Sequence, residues 1–244
     1  MDKSSNPALS DKMLDRLKAG AVTDVMTREG SMAKTAAMTG VVLFGAVSSW
    51  LFVPITSPTS YLLWVGGGSI VGLICAMIII FRGANAPLVT TYALAEGIVL
   101  GLLSRLFESS YSGIVLQAIL LTFSTLIAMQ MLYSSGAVKV TAKFRSIVMI
   151  MTVGVLVFLL VQLVIGLFNP AIFMALNSGP LGIGISAVIV FIAASNLLLD
   201  FDFIDRGVEA RLPKKAEWYA AFGLMATLIW LYVSILRLLA ATRR

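Results

Sequence analysis

Histidine is missing altogether from these 244 residues, and cysteine occurs once. The first absence removes His-ligated zinc or haem, the Ser-His-Asp triad and an intramembrane Ser-His dyad. The second removes any intramolecular disulfide, and Cys75, set in an apolar run, reads as a buried and inert thiol. Charge is scarce as well: Asp, Glu, Lys and Arg make up 12% of the chain, where a soluble domain carries about a quarter. No nucleophile elbow and no metal-ligand spacing is present, so no enzyme activity and no bound cofactor are expected. The net charge of +6 is spread over loops and ends without an aromatic-interleaved basic face, which argues against nucleic acid as a partner.

What the chain has instead is apolar surface. Hydrophobic residues amount to 59%, and the mean hydropathy is +0.97. Apolar segments near 37–56, 61–81, 88–107, 114–133, 146–168, 181–205 and 218–240 each approach the roughly 20 residues needed to cross a bilayer. The expected fold is therefore all-α, a polytopic bundle of seven transmembrane helices in contact with lipid. Two regions are expected: a polar N-terminal tail over 1–35 and a membrane domain over 36–244. Within the tail, Asn6-Pro7 suits a helix start, and Leu9, Met13 and Leu17 follow helical spacing. An interfacial helix and a solvated tail both remain open. No cleavable leader precedes the first apolar run, which is expected to serve as an uncleaved anchor.

Basic residues set the orientation. Pro54 to Ser60 and Asn169 to Pro180 carry no charge, whereas Arg82, Lys139, Lys143, Arg145, Arg206, Arg211, Lys214 and Lys215 fall in the alternate turns. Lys3, Lys12, Arg16, Lys18, Arg28 and Lys34 add to them from the tail. By the positive-inside rule all of these face the cytoplasm, giving a multi-pass protein of the cytoplasmic (inner) membrane with a cytoplasmic N-terminus. An odd number of spans puts the C-terminus outside, against which Arg243 and Arg244 speak.

Polar groups within the apolar runs are the functional candidates, because a charge near the bilayer core costs about 3 kcal/mol or more and is kept only where it pairs, neutralises or lines a path. Asp200 closes the run Leu181 to Leu199. Asn196 lies four residues earlier on the same helical face. Asp202 is turned by roughly 200° from Asp200, and it is spaced for a pair with Arg206. Acids at a helix C-terminus oppose the macrodipole, so a mere capping role for Asp200 is disfavoured. Glu96, deep in the third segment, reads equally as helix glue or as a cavity-lining group. Arg105 and Glu108 are spaced to pair with one another at the interface. Trp230, Ser234 and Arg237 share a face of the last segment, where the arginine must snorkel outward or pair inward. Gln117, Gln130 and Gln162 read as interhelical glue. Gly66, Gly67, Gly68 and Gly72 would permit close helix contact in the second segment.

The stretches Asp200-Phe-Asp202-Phe-Ile204 and Leu231-Tyr-Val-Ser234-Ile-Leu-Arg237 resemble the Bax inhibitor family, the transmembrane Bax inhibitor motif proteins. The run from Asp200 through Arg206-Gly207-Val208-Glu209, followed by Pro213-Lys-Lys-Ala-Glu-Trp-Tyr219, looks like its bacterial YccA-type subgroup. The resemblance covers nearly everything after the tail. It implies a seven-helix bundle with the last helix central, and a pH-sensitive calcium leak gated by two carboxylates on the last two helices that share a proton. Asp200 matches the first, and would be the residue touching calcium. Arg82 matches a basic residue that pairs with that aspartate when the path opens. Ser234 stands where the second carboxylate is expected, so Asp202, Glu96 or Ser234 would have to partner Asp200. Counted from Pro213, however, Asp200 and Ser234 are offset by eight residues, roughly 12 Å along the axis. They meet only if the helix breaks near Gly223.

Two functions follow: a calcium-permeable leak channel or ion exchanger gated through Asp200, or a non-transporting regulator or scaffold of a membrane protease or other membrane protein, a role associated with some bacterial relatives. A retinal pump is disfavoured by the lack of a lysine in the last segment.

Overall fold

The structure, a computed structural model, describes residues 25–55, 57–169, 171–172 and 176–243. The interfacial helix considered for the tail lies outside these residues. Among the described residues seven helices follow in order: α1 Arg28–Phe52, α2 Pro58–Arg82, α3 Ala86–Ser110, α4 Ile114–Ser134, α5 Ala142–Phe168, α6 Gly179–Glu209 and α7 Ala216–Thr242. All seven are long and apolar enough to cross a membrane. Most begin at a legible signal. Thr27, Asn85 and Thr141 cap α1, α3 and α5 by accepting from Gly30, Leu88 and Phe144 amides, and Ser57 forms a capping box with Ser60 at α2. Such caps satisfy amides that the first turn leaves without a partner. Because of its cap, α1 begins at Arg28, inside the stretch expected to be tail.

The chain runs up and down, so the turns gather at two ends. One end holds the start of α1 and the α2–α3, α4–α5 and α6–α7 turns, with most of the basic residues; we call it the basic end. α7 lies at the centre, packed on α1, α3, α4 and α6, while α2 packs chiefly on α3 and α5 chiefly on α6. Along α6 and α7, Leu197, Phe201 and Ile204 meet Leu224, Leu231 and Ile235 in one core cluster. A second cluster joins α1, α2 and α3 to the start of α7, with the Tyr92 and Phe222 rings 4.9 Å apart edge to face. Between α1, α3, α4 and α7, away from the basic end, an apolar crevice of about 410 Å³ includes Trp50, Leu100, Phe123 and Tyr232 in its wall.

The closest backbone approach is between α1 and α3. A Cβ at Gly97 would lie 2.5 Å from the Val42 carbonyl oxygen, and one at Gly101 would run into the Ala46 carbonyl and Ser49 hydroxyl. Gly97 and Gly101 are spaced by four, the small-residue pattern that lets membrane helices touch. The glycines singled out from the sequence contribute less. Nothing approaches Gly66 or Gly67, while Gly68 and Gly72 face Val99 and Glu96 of α3. Gly97→Val should therefore cost about 3 kcal/mol, the upper part of the overpacking range, because a backbone carbonyl cannot swing aside. Gly66→Val should cost almost nothing. Unfolding of the two variants in mixed micelles, followed by tryptophan fluorescence, checks the contrast.

Candidate functional site

Asp200 lies on α6 about two and a half turns before its end, against α7. A Cβ added at Gly223 would stand 3.6 Å from its Oδ1, so glycine there leaves room for the carboxyl. The Thr227 hydroxyl, one turn further along α7, lies beside the carboxyl. Oδ2 is shut away from the surface and has no hydrogen-bond partner among the described residues. An ionised carboxylate accepts up to about four hydrogen bonds. The packing thus suits a neutral acid, and leaves an ionised one short of partners.

α7 is continuous through Gly223, so the condition under which Asp200 and Ser234 would meet is not fulfilled. Ser234 consequently stays two turns, about 10 Å, beyond Thr227. Its hydroxyl is buried and donates to the Trp230 carbonyl at 2.8 Å. Thr227, not Ser234, faces Asp200. Arg82 is exposed at the end of α2, and no ion pair joins it to Asp200 among the described residues. Arg237 is exposed on α7, the outward of the two alternatives. Glu96 turns to α2, where a Cβ at Gly72 would lie 2.5 Å from its Oε1. Asn196 turns to α5 instead of α7: its Nδ2 donates to Thr152 Oγ1 at 2.8 Å and to the Ile192 carbonyl at 2.9 Å. It holds α5 to α6 rather than sharing a cavity with Asp200.

Asp202 and Asp205, further along α6, are held in ion pairs and hydrogen bonds. Asp202 Oδ2 takes Arg206 at 2.7 Å, as the spacing predicts, and also Arg145 of α5 at 2.9 Å. Asp205 accepts from the Tyr133 hydroxyl at 2.9 Å and faces Arg28 at 3.6 Å. The expected Arg105–Glu108 pair is not formed. Arg105 donates to the Trp50 and Val53 carbonyls at the end of α1, and Glu108 accepts from the Gly113 and Val115 amides at the start of α4. Each charge meets a helix end of opposite partial charge, so both are better placed apart. Of the glutamines expected to glue helices, Gln117 accepts from Arg243 at 2.7 Å, while the Nε2 of Gln162 is buried without a partner.

A clasp closes the basic end beyond Asp200, and nothing in the sequence pointed to it. Val25 bridges to Pro213, and the Met26 amide donates to the Leu212 carbonyl at 2.8 Å. Met26, 1% exposed, seats its sulfur on Gly207, two turns or about 10 Å past Asp200. Glu217, also 1% exposed, takes the Thr27 amide at 2.9 Å, the Thr27 hydroxyl at 3.1 Å and Lys34 at 2.5 Å. Gly30 leaves space for that carboxylate, which a Cβ would invade.

A seven-helix bundle with a buried acid between its last two helices accords with the comparison that decides the family: the Bax inhibitor 1 like family model matches residues 6–244. The chain belongs to the Bax inhibitor 1 like family. No curated protein matches it significantly. In this Bax inhibitor 1 like protein the central last helix is present, and a hydroxyl, Thr227, occupies the place opposite Asp200 where a second carboxylate was sought.

Proposed function

We propose that this chain is a pH-sensitive, calcium-permeable leak of the cytoplasmic membrane, gated through Asp200, with its basic end in the cytoplasm. It acts without catalysis and without a resident cofactor. The observation that carries the reading is the Asp200 carboxyl closed between α6 and α7 with Oδ2 unpartnered. A buried acid of this kind costs less neutral than charged, and intramembrane acids mark ion pathways. In the closed packing the neutral acid keeps its Thr227 contact. Losing the proton leaves a carboxylate that needs water, a cation or a basic group. Separation of α6 from α7 admits one of these, and Arg82 is the base the family resemblance assigns to that open state. Among the described residues no three His, Cys, Asp or Glu side chains converge on one point, whereas a tight calcium site takes 6–8 oxygens. Calcium therefore meets Asp200 in transit and is not stored there. The basic turns support the orientation.

Calcium flux into proteoliposomes between pH 6 and pH 8 tests the reading. Flux should rise with pH, because opening follows loss of the Asp200 proton. Asp200→Asn cannot ionise, so its flux should stay at the acid level throughout, with a ratio between the two pH values of about one. A leak that keeps its pH response in Asp200→Asn removes Asp200 as the gate. No leak in either protein removes the channel reading and leaves the regulator or scaffold.

A further inference from the structure

Beside the clasp, at the basic end, a recess of about 470 Å³ opens between the α2–α3 turn and the start of α7, lined by Lys34, Asn85, Lys214, Lys215 and Trp218 with Ala84 and Ala86. No acid is among the described residues of its wall. Glu217 lies behind it and pairs with Lys34, so the positive charge offered to a ligand rests on Lys215. Lys215 is exposed and enters no ion pair among the described residues. The amino end of the 25-residue α3, with its Asn85 cap on the Leu88 amide, forms part of the wall, and brings the positive end of the helix dipole to the recess. Trp218, with Lys34 Nζ 4.9 Å from its ring centroid, adds an aromatic edge, the side chain favoured at the level of lipid headgroups.

We propose that this recess binds the phosphate of an anionic phospholipid in the leaflet that the basic end faces. Its place favours a lipid over a free anion. It lies where two membrane-crossing helices end and two begin, so a phosphate held at Lys215 leaves its acyl chains beside α2 and α3. Basic recesses between such helices are sites of this chemistry. The proposal is independent of calcium transport and uses the orientation only to name the leaflet.

Native mass spectrometry of the purified full chain tests it, with phosphatidylglycerol and phosphatidylcholine titrated separately and inorganic phosphate as a third probe. Phosphatidylglycerol should be retained preferentially, and Lys215→Ala should weaken its retention roughly fivefold, the share of one lysine near an anionic surface. Lys143→Ala, at the same end but outside the recess, should leave it unchanged. Unfolding of Lys215→Ala in phosphatidylcholine should match the parent, which separates lost binding from lost fold. Equal retention of the two lipids, or an equal loss in Lys143→Ala, overturns the proposal. Inorganic phosphate that binds as tightly as the lipid overturns the lipid assignment.

Discussion

Glu217→Ala should destabilise the bundle by about 3 kcal/mol and free the segment before α1. Removing one partner of a buried ion pair costs about 3–5 kcal/mol, because the other charge is left without compensation. The lower end applies here, since Lys34 keeps 20% side-chain exposure and can turn toward water. The Thr27 amide and hydroxyl lose their acceptor in the same step. Glu217→Gln keeps an acceptor for Thr27 and loses only the charge, so its cost should be clearly smaller. Lys34→Met is the harsher reciprocal change, because it strands a carboxylate that is 1% exposed with Thr27 alone to satisfy it. Unfolding in mixed micelles gives the energies. Limited trypsin digestion gives the local effect: Arg28, 46% exposed but tied to Asp205, should be cut faster in Glu217→Ala than in the parent. Equal digestion and equal stability would show that the clasp holds nothing.

The bundle was legible because spanning length and hydropathy are properties of contiguous residues. All seven helices coincide with the apolar runs, and they extend beyond them where caps and polar turns continue the helix, as at Arg28, Ala142 and Glu209. Asp200 was legible for the same reason: a carboxylate ending an apolar run stands out without knowledge of its neighbours. The Asp202–Arg206 pair is likewise local, set by a four-residue spacing. What the sequence hid are contacts between distant segments. Glu217 meets Thr27 and Lys34 across more than 180 positions, and no periodicity connects them. Arg145 reaches Asp202 from another helix. Thr227 is the instructive case. Counted outward from Pro213, Asp200 is 13 residues before and Thr227 is 14 after, so two antiparallel helices joined by a tight turn bring them level. Register arithmetic showed only that Ser234 lies too far along α7, while motif matching pointed to Ser234. The eight-residue offset was a sign that Asp200 and Ser234 would not meet along a continuous α7.

That distinction predicts which substitution installs the second acid. In Thr227→Asp the new carboxyl replaces a hydroxyl that lies beside the Asp200 carboxyl. Two carboxyls this close in a medium of low dielectric cannot both ionise readily, so they share a proton and titrate as a pair. A single gating acid gives a flux profile that rises over about 2 pH units, and two acids coupled by about 1 unit should spread it to about 3. Ser234→Asp should leave the Asp200 profile as it is. The hydroxyl at Ser234 is turned to the Trp230 carbonyl of its own helix, about 10 Å along the axis from the contact. An acid there is buried without a partner and should instead lower stability by about 3 kcal/mol. Calcium flux against pH in proteoliposomes, with unfolding measured on the same preparations, separates the two variants. A broadened profile in Ser234→Asp, with none in Thr227→Asp, would contradict the register of α6 on α7 and with it the proton-controlled contact between Asp200 and Thr227.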